Sequence, residues 1–428
     1  MKAVIQKSPL NGEIRIPGSK SHMIRALYFA ALGDGVSTIR EPVRSNDGLA
    51  AVGLCRALGV PIDMNADDRW IVTGGTIRGP EDIIDVGNSG TTMQLGAPII
   101  ASTGEGAVVT GDDQIRRRAI LPVLNALRLL GVDAFTIRGN ASAPFYLKGP
   151  IRGGKTFVDG IVSQYVSASI LAGTLAEKDT EIVVDRANET PYIEMTLGWM
   201  RSCGIEVEAQ SDFNRFFVKS GQTYRRFDRA VPADFSSAAF PLIGAAITDS
   251  EVVLHGLDTT DVQGDKILID ILREMGASID VVENGAGGIR IHGGRSLRGT
   301  TIDCSTTPDS VPILSILGCC ADGETLLTGI ESSRLKETDR PLVMIEELTK
   351  MGADISLTDA GLRIRPSSLR GTDVRSHRDH RVAMALTIAG LVASGTTTVD
   401  QVESATISYP GFDRSFADLN ASVRFAED

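Results

Sequence analysis

The chain has 428 residues, of which 42% are hydrophobic, 23% charged and only 5% aromatic, with 45 glycines; this predicts a globular protein of two to four domains built from many short elements and tight turns. A formal net charge of −11 excludes a general nucleic-acid binder, which needs a broad basic surface, though not a local basic pocket. No apolar run reaches membrane-spanning length, Pro312–Ala321 coming nearest, and the first eighteen residues lack the apolar core of a secretory signal. The five cysteines, Cys55, Cys203, Cys304, Cys319 and Cys320, are odd in number and not spaced for zinc, so reduced thiols in a cytoplasmic protein are expected.

In chain order, the first segment with chemical content is IPGSKSHMIRALYFAAL, residues 16–32. Gly18, Ser19, Lys20 and Ser21 read as a turn that opens a helix, where backbone N–H groups attract anions. Lys20 adds a point charge, and Arg25 a fork suited to a carboxylate. The plain alternative is a capped helix with surface cations. In DVGNSGTTMQ (85–94), Gly87, Asn88, Ser89 and Gly90 precede a second helix; without a GK[ST] ending this is no nucleoside-triphosphate loop. GDDQIRRRAILPVLNAL (111–127) sets Arg116, Arg117 and Arg118 before an amphipathic helix. Such a triplet is ordinarily a solvated face, and at most one of the three can point into a pocket. DGIVSQYVSASILAG (159–173) offers Ser163 and Gln164 at a helix start, with N-capping by Ser163 as the simple reading.

In the second half, TTPDSVPILSIL (306–317) places Asp309 just before an apolar helix, as a cap or as a general base. SSRLKETDRPLVMIEEL (332–348) gathers Lys336, Glu337, Asp339 and Arg340, ordinarily an exposed charged turn. SHRDHRVAMALTIAGLVASG (376–395) opens a strongly apolar helix with His377, Arg378, Asp379, His380 and Arg381. The helix dipole should repel those cations unless an anion sits there, which favours a binding site. Five histidines with no HExxH or Cys/His cluster give no metal site, and the absence of GxSxG leaves a hydrolytic serine unsupported.

One pattern recurs along the chain: a helix end, a glycine, then a strand. The copies RALGVPIDM, RLLGVDAFTI, RSCGIEVEA, REMGASIDV and TKMGADISL place Gly59, Gly131, Gly204, Gly276 and Gly352 at steps of 72, 73, 72 and 76 residues. A weaker sixth copy, DLNASVRF, puts Asn420 in the glycine position, which suits the left-handed angles found after a helix end. A second marker follows most copies: IRGP (77–80), IRGG (151–154) and LRGT (297–300 and 369–372). Six mixed strand–helix units are too long for a solenoid and predict two globules of three units each.

Together, PGSKSHMIRAL, GNSGTTM, IRRRAI, DGIVSQ, TPYIEMTL, PADFSSAAF, RLKETDR and DHRVAMAL resemble the 3-phosphoshikimate 1-carboxyvinyltransferases, also called 5-enolpyruvylshikimate-3-phosphate synthases, in the family's order from residue 17 to 386. The sister family acting on UDP-N-acetylglucosamine looks less similar, since its active-site cysteine loop has no counterpart near 111–120. The resemblance implies a two-lobed inside-out α/β barrel of six repeats, three per lobe, with residues 1–14 and 232–428 in the lobe of both termini and 15–231 in the second lobe. It implies transfer of the enolpyruvyl group of phosphoenolpyruvate to the 5-hydroxyl of shikimate 3-phosphate, with phosphate released as the lobes close. Lys20, Gly90, Arg118, Gln164, Arg340 and Arg381 match phosphoenolpyruvate-binding positions. Lys20, Ser21, Arg25, Ser163, Gln164, Asp309 and Lys336 match acceptor-binding positions. Asp309 matches the proton acceptor and Glu337 a proton donor, with Lys20 and His380 in the same catalytic set. No cofactor or metal is implied, the partners are the two small substrates, and a cytoplasmic monomer open to competition by glyphosate at Gly90 is expected.

Several positions depart from the family pattern. Val162 stands where the first serine of a Ser-Ser-Gln run is expected, and Glu189 with Thr190 where a serine and a basic residue precede Pro191 and Tyr192. Both serines help hold the acceptor's phosphate in the family. Ser332 replaces an asparagine, Ile407 a lysine and Gln94 a common arginine. A paralogue using another acceptor and a non-catalytic ligand-binding homologue are the alternative readings.

Overall fold

Residues 1–282 and 287–427, which the computed structural model describes, repeat one strand–helix order six times. The helices among them are α1 (Lys20–Leu32), α2 (Asn46–Ala57), α3 (Gly90–Ser102), α4 (Leu121–Leu129), α5 (Ser163–Thr174), α6 (Thr190–Ser202), α7 (Phe235–Ala246), α8 (Leu268–Met275), α9 (Val311–Cys320), α10 (Arg340–Lys350), α11 (His380–Val392) and α12 (Phe412–Asp418). In the second copy, strands Ile84–Asp85 and Gly106–Thr110 pair in parallel, with α3 as the crossover that parallel pairing requires. Phe145–Lys148 then pairs antiparallel with Gly106–Thr110, and Asp133–Thr136 closes the four-stranded sheet on its far side. The same order recurs in Gly154–Asp159, Thr180–Asp185, Arg215–Val218 and Val207–Ala209, and in Thr301–Asp303, Thr325–Thr328, Gly361–Arg365 and Asp354–Thr358.

Two kinds of helix follow from two kinds of sequence. α1, α3, α5, α7, α9 and α11 are buried on nearly all sides, as helices apolar all round must be. α8, by contrast, buries Leu268, Ile269, Leu272 and Met275 and leaves its charged face to water. The strands alternate buried and exposed residues, so each sheet covers the helices with one face and meets solvent with the other. Helices inside and sheets outside give each unit its inside-out α/β architecture. Glycines let helix and sheet approach closely: a Cβ on Gly173, Gly318 or Gly390 would lie 3.4, 3.2 and 3.2 Å from the Cβ of Thr180, Thr325 and Thr397.

The chain divides into Met1–Ser19 with Pro232–Asp428, and Lys20–Val231, each with its own hydrophobic core. The leading strands are exchanged at the crossings. Asn11–Arg15 precedes α1 but pairs with Glu251–His255, while Asp228–Ala230 precedes α7 but pairs with Val36–Arg40. Lys2–Gln6 completes the sixth sheet between Thr396–Val399 and Val423–Ala426. The division after Ser19, rather than after residue 14, has a local cause. Ile16 N donates to the His255 carbonyl at 3.1 Å and Ser19 N to that of Pro232 at 2.7 Å, which keeps residues 15–19 with the termini.

Both sequence markers have structural work. Gly59, Gly131, Gly204, Gly276 and Gly352 take φ of 81, 91, 79, 107 and 90°, and Asn420 takes 57°, each just after an amphipathic helix. The N–H groups of Arg78, Arg152, Arg298 and Arg370 donate to the carbonyls of Leu58, Leu130, Met275 and Met351 at 3.0, 2.7, 2.8 and 2.9 Å. In these four copies the two markers are thus hydrogen-bonded to each other. Arg225 makes the same bond to Cys203 at 2.8 Å without the marker's glycine, a copy the text pattern missed.

Candidate active site

In the Lys20–Val231 unit, the candidate residues gather where the buried helices begin. Lys20 opens α1, and its buried Nζ lies 3.0 Å from Oδ2 of the buried Asp47. Removing a cation and a carboxylate from water together is tolerable only because each compensates the other. Gly90 opens α3, whose N-cap Ser89 accepts from Thr92 N at 3.2 Å. A Cβ on Gly90 would lie 2.5 Å from Cζ of Arg118, so the absent side chain is what lets this guanidinium rest against the helix start. Of the three arginines, Arg116 donates to the Gly111 carbonyl and the exposed Arg117 lies 3.4 Å from Asp113, leaving Arg118 as the one directed at α3. Gln164 Nε2 donates to Thr91 Oγ1 at 2.9 Å, tying the start of α5 to that of α3.

Two residues take unexpected positions. Ser163 does not cap α5; the cap position belongs to Val162, which has no side-chain acceptor. Ser163 is the first helical residue, and both its N and Oγ donate to Oε2 of Glu189, at 3.0 and 2.6 Å. Arg25 is engaged within the protein: Nε donates to Thr196 Oγ1 at 2.9 Å, and its terminal nitrogens donate to the carbonyls of Ser21 and Tyr192 at 3.0 and 3.1 Å. Burial lowers its pKa to about 10. Arg25 therefore braces Ser21 and the start of α6. Tyr165 is pushed up to about 12, first by burial; Arg118 opposes this, while Glu189 and Asp159 add to it. Arg118 and Glu189 thus act electrostatically on one phenol.

In the other unit, Asp309, Glu337 and Asp379 surround Arg340. Nη1 lies 2.7 Å from Asp309 Oδ1, Nη2 lies 2.8 Å from Glu337 Oε2, and Nε lies 2.9 Å from Asp379 Oδ2. Burial alone would lower the pKa of this arginine, but Asp379, Asp309 and Glu337 outweigh it and raise the value. Asp309 also reaches Arg381, whose Nη2 lies 3.4 Å from Oδ2. Arg381 is 1% exposed, yet among the described residues its Nε and Nη1 have no hydrogen-bond partner. Its guanidinium lies 5.9 Å from the Phe240 ring centroid. Donors buried in this way carry a desolvation cost that a bound anion would relieve.

Asp379 explains how α11 tolerates its basic start. It is the N-cap, accepts from Arg381 N at 2.9 Å, and receives Thr338 Oγ1 at 2.9 Å as well as Arg340. His380 is buried, with Nδ1 3.8 Å from Asp379 Oδ1. Lys336 is half-buried beside Glu337 in sequence. His377 lies outside this cluster, its Nε2 2.7 Å from Glu347 Oε1, and Arg378 is exposed. Glu337, Asp379 and His380 are close enough together to ligate an ion, but Arg340 already donates to both carboxylates.

Sequence reasoning missed Asp47, Glu189 as a partner of Ser163, and the buried Asp234, which lies close enough to Arg381 to affect its charge. Burial raises the Asp234 pKa, and Arg381 opposes that. A recurring signal links some of these. Asp47 meets Lys20, Asp112 meets Asn88, Glu189 meets Ser163 and Asp265 meets Ser236, each acid facing the start of the buried helix in its own repeat. These acids stand at no constant spacing from the marker glycines, so alignment of the repeats does not reveal them.

The family described as EPSP synthase (3-phosphoshikimate 1-carboxyvinyltransferase) matches residues 4–416. Proteins named 3-phosphoshikimate 1-carboxyvinyltransferase from Acetivibrio thermocellus and Ruminiclostridium cellulolyticum are 45% and 47% identical over 426 and 421 residues, spanning 99% and 98% of this chain and the same shares of theirs. Among solved structures, EPSP synthase from Acinetobacter baumannii is similar with a TM-score of 0.84 at 29% identity, covering 100% of both chains. The enolpyruvyl transferase NikO from Streptomyces tendae shares the fold, with a TM-score of 0.79 at 19% identity and 99% and 98% coverage. No described helix is long and apolar enough to cross a membrane. With sequence, repeat architecture and fold in agreement along nearly its whole length, the chain belongs to the EPSP synthase (3-phosphoshikimate 1-carboxyvinyltransferase) family.

Proposed function

We propose that this chain transfers the enolpyruvyl group of phosphoenolpyruvate to the 5-hydroxyl of shikimate 3-phosphate by addition and elimination, with no cofactor. The observation that carries this reading is the pair of fully buried arginines, Arg340 and Arg381, beside Asp309, with two Arg381 donors still unpartnered among the described residues. Phosphoenolpyruvate offers the carboxylate and phosphate that such donors need. Lys20, Arg118, with Gly90 clearing its path, and Gln164 supply further positive charge and donors for the same substrate.

In the addition step, the acceptor hydroxyl gives its proton to Asp309 and its oxygen bonds C2 of phosphoenolpyruvate, while C3 takes a proton from Glu337. In the elimination step, C3 returns a proton to Glu337, the C2=C3 bond re-forms, the C2–O bond to phosphate breaks and the departing phosphate takes the proton held by Asp309. Arg340 and Arg381 receive the charge that collects on the leaving phosphate. Lys336, Ser21, Ser163 and Arg25 serve the acceptor, Arg25 by fixing Ser21, and His380 stays in contact with the Asp379–Arg340 network. The five free thiols suit the cytoplasm.

The test is phosphate release from phosphoenolpyruvate with shikimate 3-phosphate, followed by mass analysis of the acceptor. Stoichiometric phosphate and enolpyruvyl adduct are expected. Tight phosphoenolpyruvate binding without turnover would reject this acceptor, and no binding of either substrate would reject the whole reading.

A further inference from the structure

We propose that Glu189 sets acceptor selectivity by holding, as an internal anion, the donors at the start of α5 that an acceptor's anionic group would otherwise use. The proposal rests on the enolpyruvyl-transfer reading and concerns its acceptor. The Glu189 carboxylate takes both the N–H and the hydroxyl of Ser163 on one oxygen, at 3.0 and 2.6 Å. Val162 at the cap position supplies no side-chain acceptor, so this carboxylate does the capping from 26 residues away. Glu189 is 2% exposed and adopts φ of 50°, a left-handed conformation that costs a non-glycine residue energy and persists only where the surroundings enforce it. Its charge acts on the same Tyr165 phenol as that of Arg118, which puts it in the electrostatic surroundings of the candidate site.

The consequence is competition between like charges. A phosphate approaching Ser163 meets a buried carboxylate already on those donors, and at low dielectric that repulsion is strong. An acceptor with a hydroxyl or other uncharged group there meets none of it and can itself donate to Glu189. Anionic acceptors are therefore penalised relative to uncharged ones.

Calorimetric binding of shikimate 3-phosphate and of shikimate to the full-length wild type and Glu189→Gln tests this without requiring turnover. The expected result is tightening of about tenfold or more for shikimate 3-phosphate in the variant, about 1.4 kcal/mol or more, with shikimate changing less than about twofold. Glu189→Ser, smaller and uncharged, should tighten it in the same direction and covers failure of the first variant to fold. Equal changes for both ligands, no change, weaker phosphate binding, or no binding to any of the proteins overturns the proposal; a purely structural cap would lower the melting temperature and leave the ratio of the two affinities fixed. Failure of the functional reading shows separately, as absent phosphate release by the wild type.

Discussion

Copies of the repeat in the two units can build their helix starts from the same positions with opposite sign. In Lys20–Val231, the start of the buried helix brings a cation or hydroxyl, Lys20 or Ser163, and the start of the amphipathic helix brings the acid, Asp47 in the first turn of α2 or Glu189 as the N-cap of α6. In the fifth copy, within the unit of both termini, the buried helix start brings the acid Asp309 and the first residue of α10 brings the cation Arg340. The repeat fixes where two side chains meet and leaves their charge free. One repeat can therefore present a cation or an acid at the same place, as Lys20 and Asp309 show.

The largest expected effect comes from removing the cation that three carboxylates share. Arg340→Met leaves Asp309, Glu337 and Asp379 without it, and losing one partner of a buried pair costs about 3–5 kcal/mol. Urea unfolding should show that loss, with turnover abolished; stability within about 1 kcal/mol of wild type would mean that the carboxylates are not jointly held.

Asp309→Asn sharpens the contrast by keeping shape and removing the carboxylate proposed as the base. Turnover should fall by about 10²–10⁴-fold, while phosphoenolpyruvate affinity measured by fluorescence titration changes little. Full activity in the variant would move the proton step to Lys336 or Glu337.

Gly90→Ala probes the other unit. Its Cβ, 2.5 Å from Arg118 Cζ, must displace the guanidinium. Losing a charged hydrogen bond of about 1.5–3 kcal/mol raises KM for phosphoenolpyruvate by about 10–100-fold, with a much smaller change for the acceptor. An unaltered KM would place Arg118 away from this substrate.

The smallest effect is a pH dependence outside the candidate site. Burial disfavours the Glu347 carboxylate, but Lys350, the Arg375 N–H and His377 outweigh it and lower its pKa. A depressed carboxyl adds stability above its unfolded value, about 4.3, and loses it as pH falls through the folded value. The stability difference between wild type and Glu347→Gln should therefore be greatest near neutrality and shrink in acid. A difference that grows in acid would reverse the sign of this account.

Much of the fold was legible because its signals are backbone requirements. Gly59 and its counterparts are needed where the chain turns left-handed, and the helices that are apolar all round must lie inside. The candidate site was legible where charge stood against physical expectation, as at Arg381 on a buried helix start, and where family motifs marked it. Contacts between distant loops were not legible. Nothing in the text around Ser163 announces that its cap comes from Glu189, and nothing around Arg25 shows that Thr196 and Tyr192 engage it. The exchange of leading strands came only from the family resemblance, since without it Asn11–Arg15 and Asp228–Ala230 look interchangeable until their pairing partners are known.

The most direct test of the central claim is a single incubation of the wild type with phosphoenolpyruvate and shikimate 3-phosphate, in which released phosphate and acceptor mass are measured together. One phosphate released for each acceptor carrying an enolpyruvyl group is the predicted result. Phosphate released without that adduct, or an unchanged acceptor despite bound phosphoenolpyruvate, would contradict it.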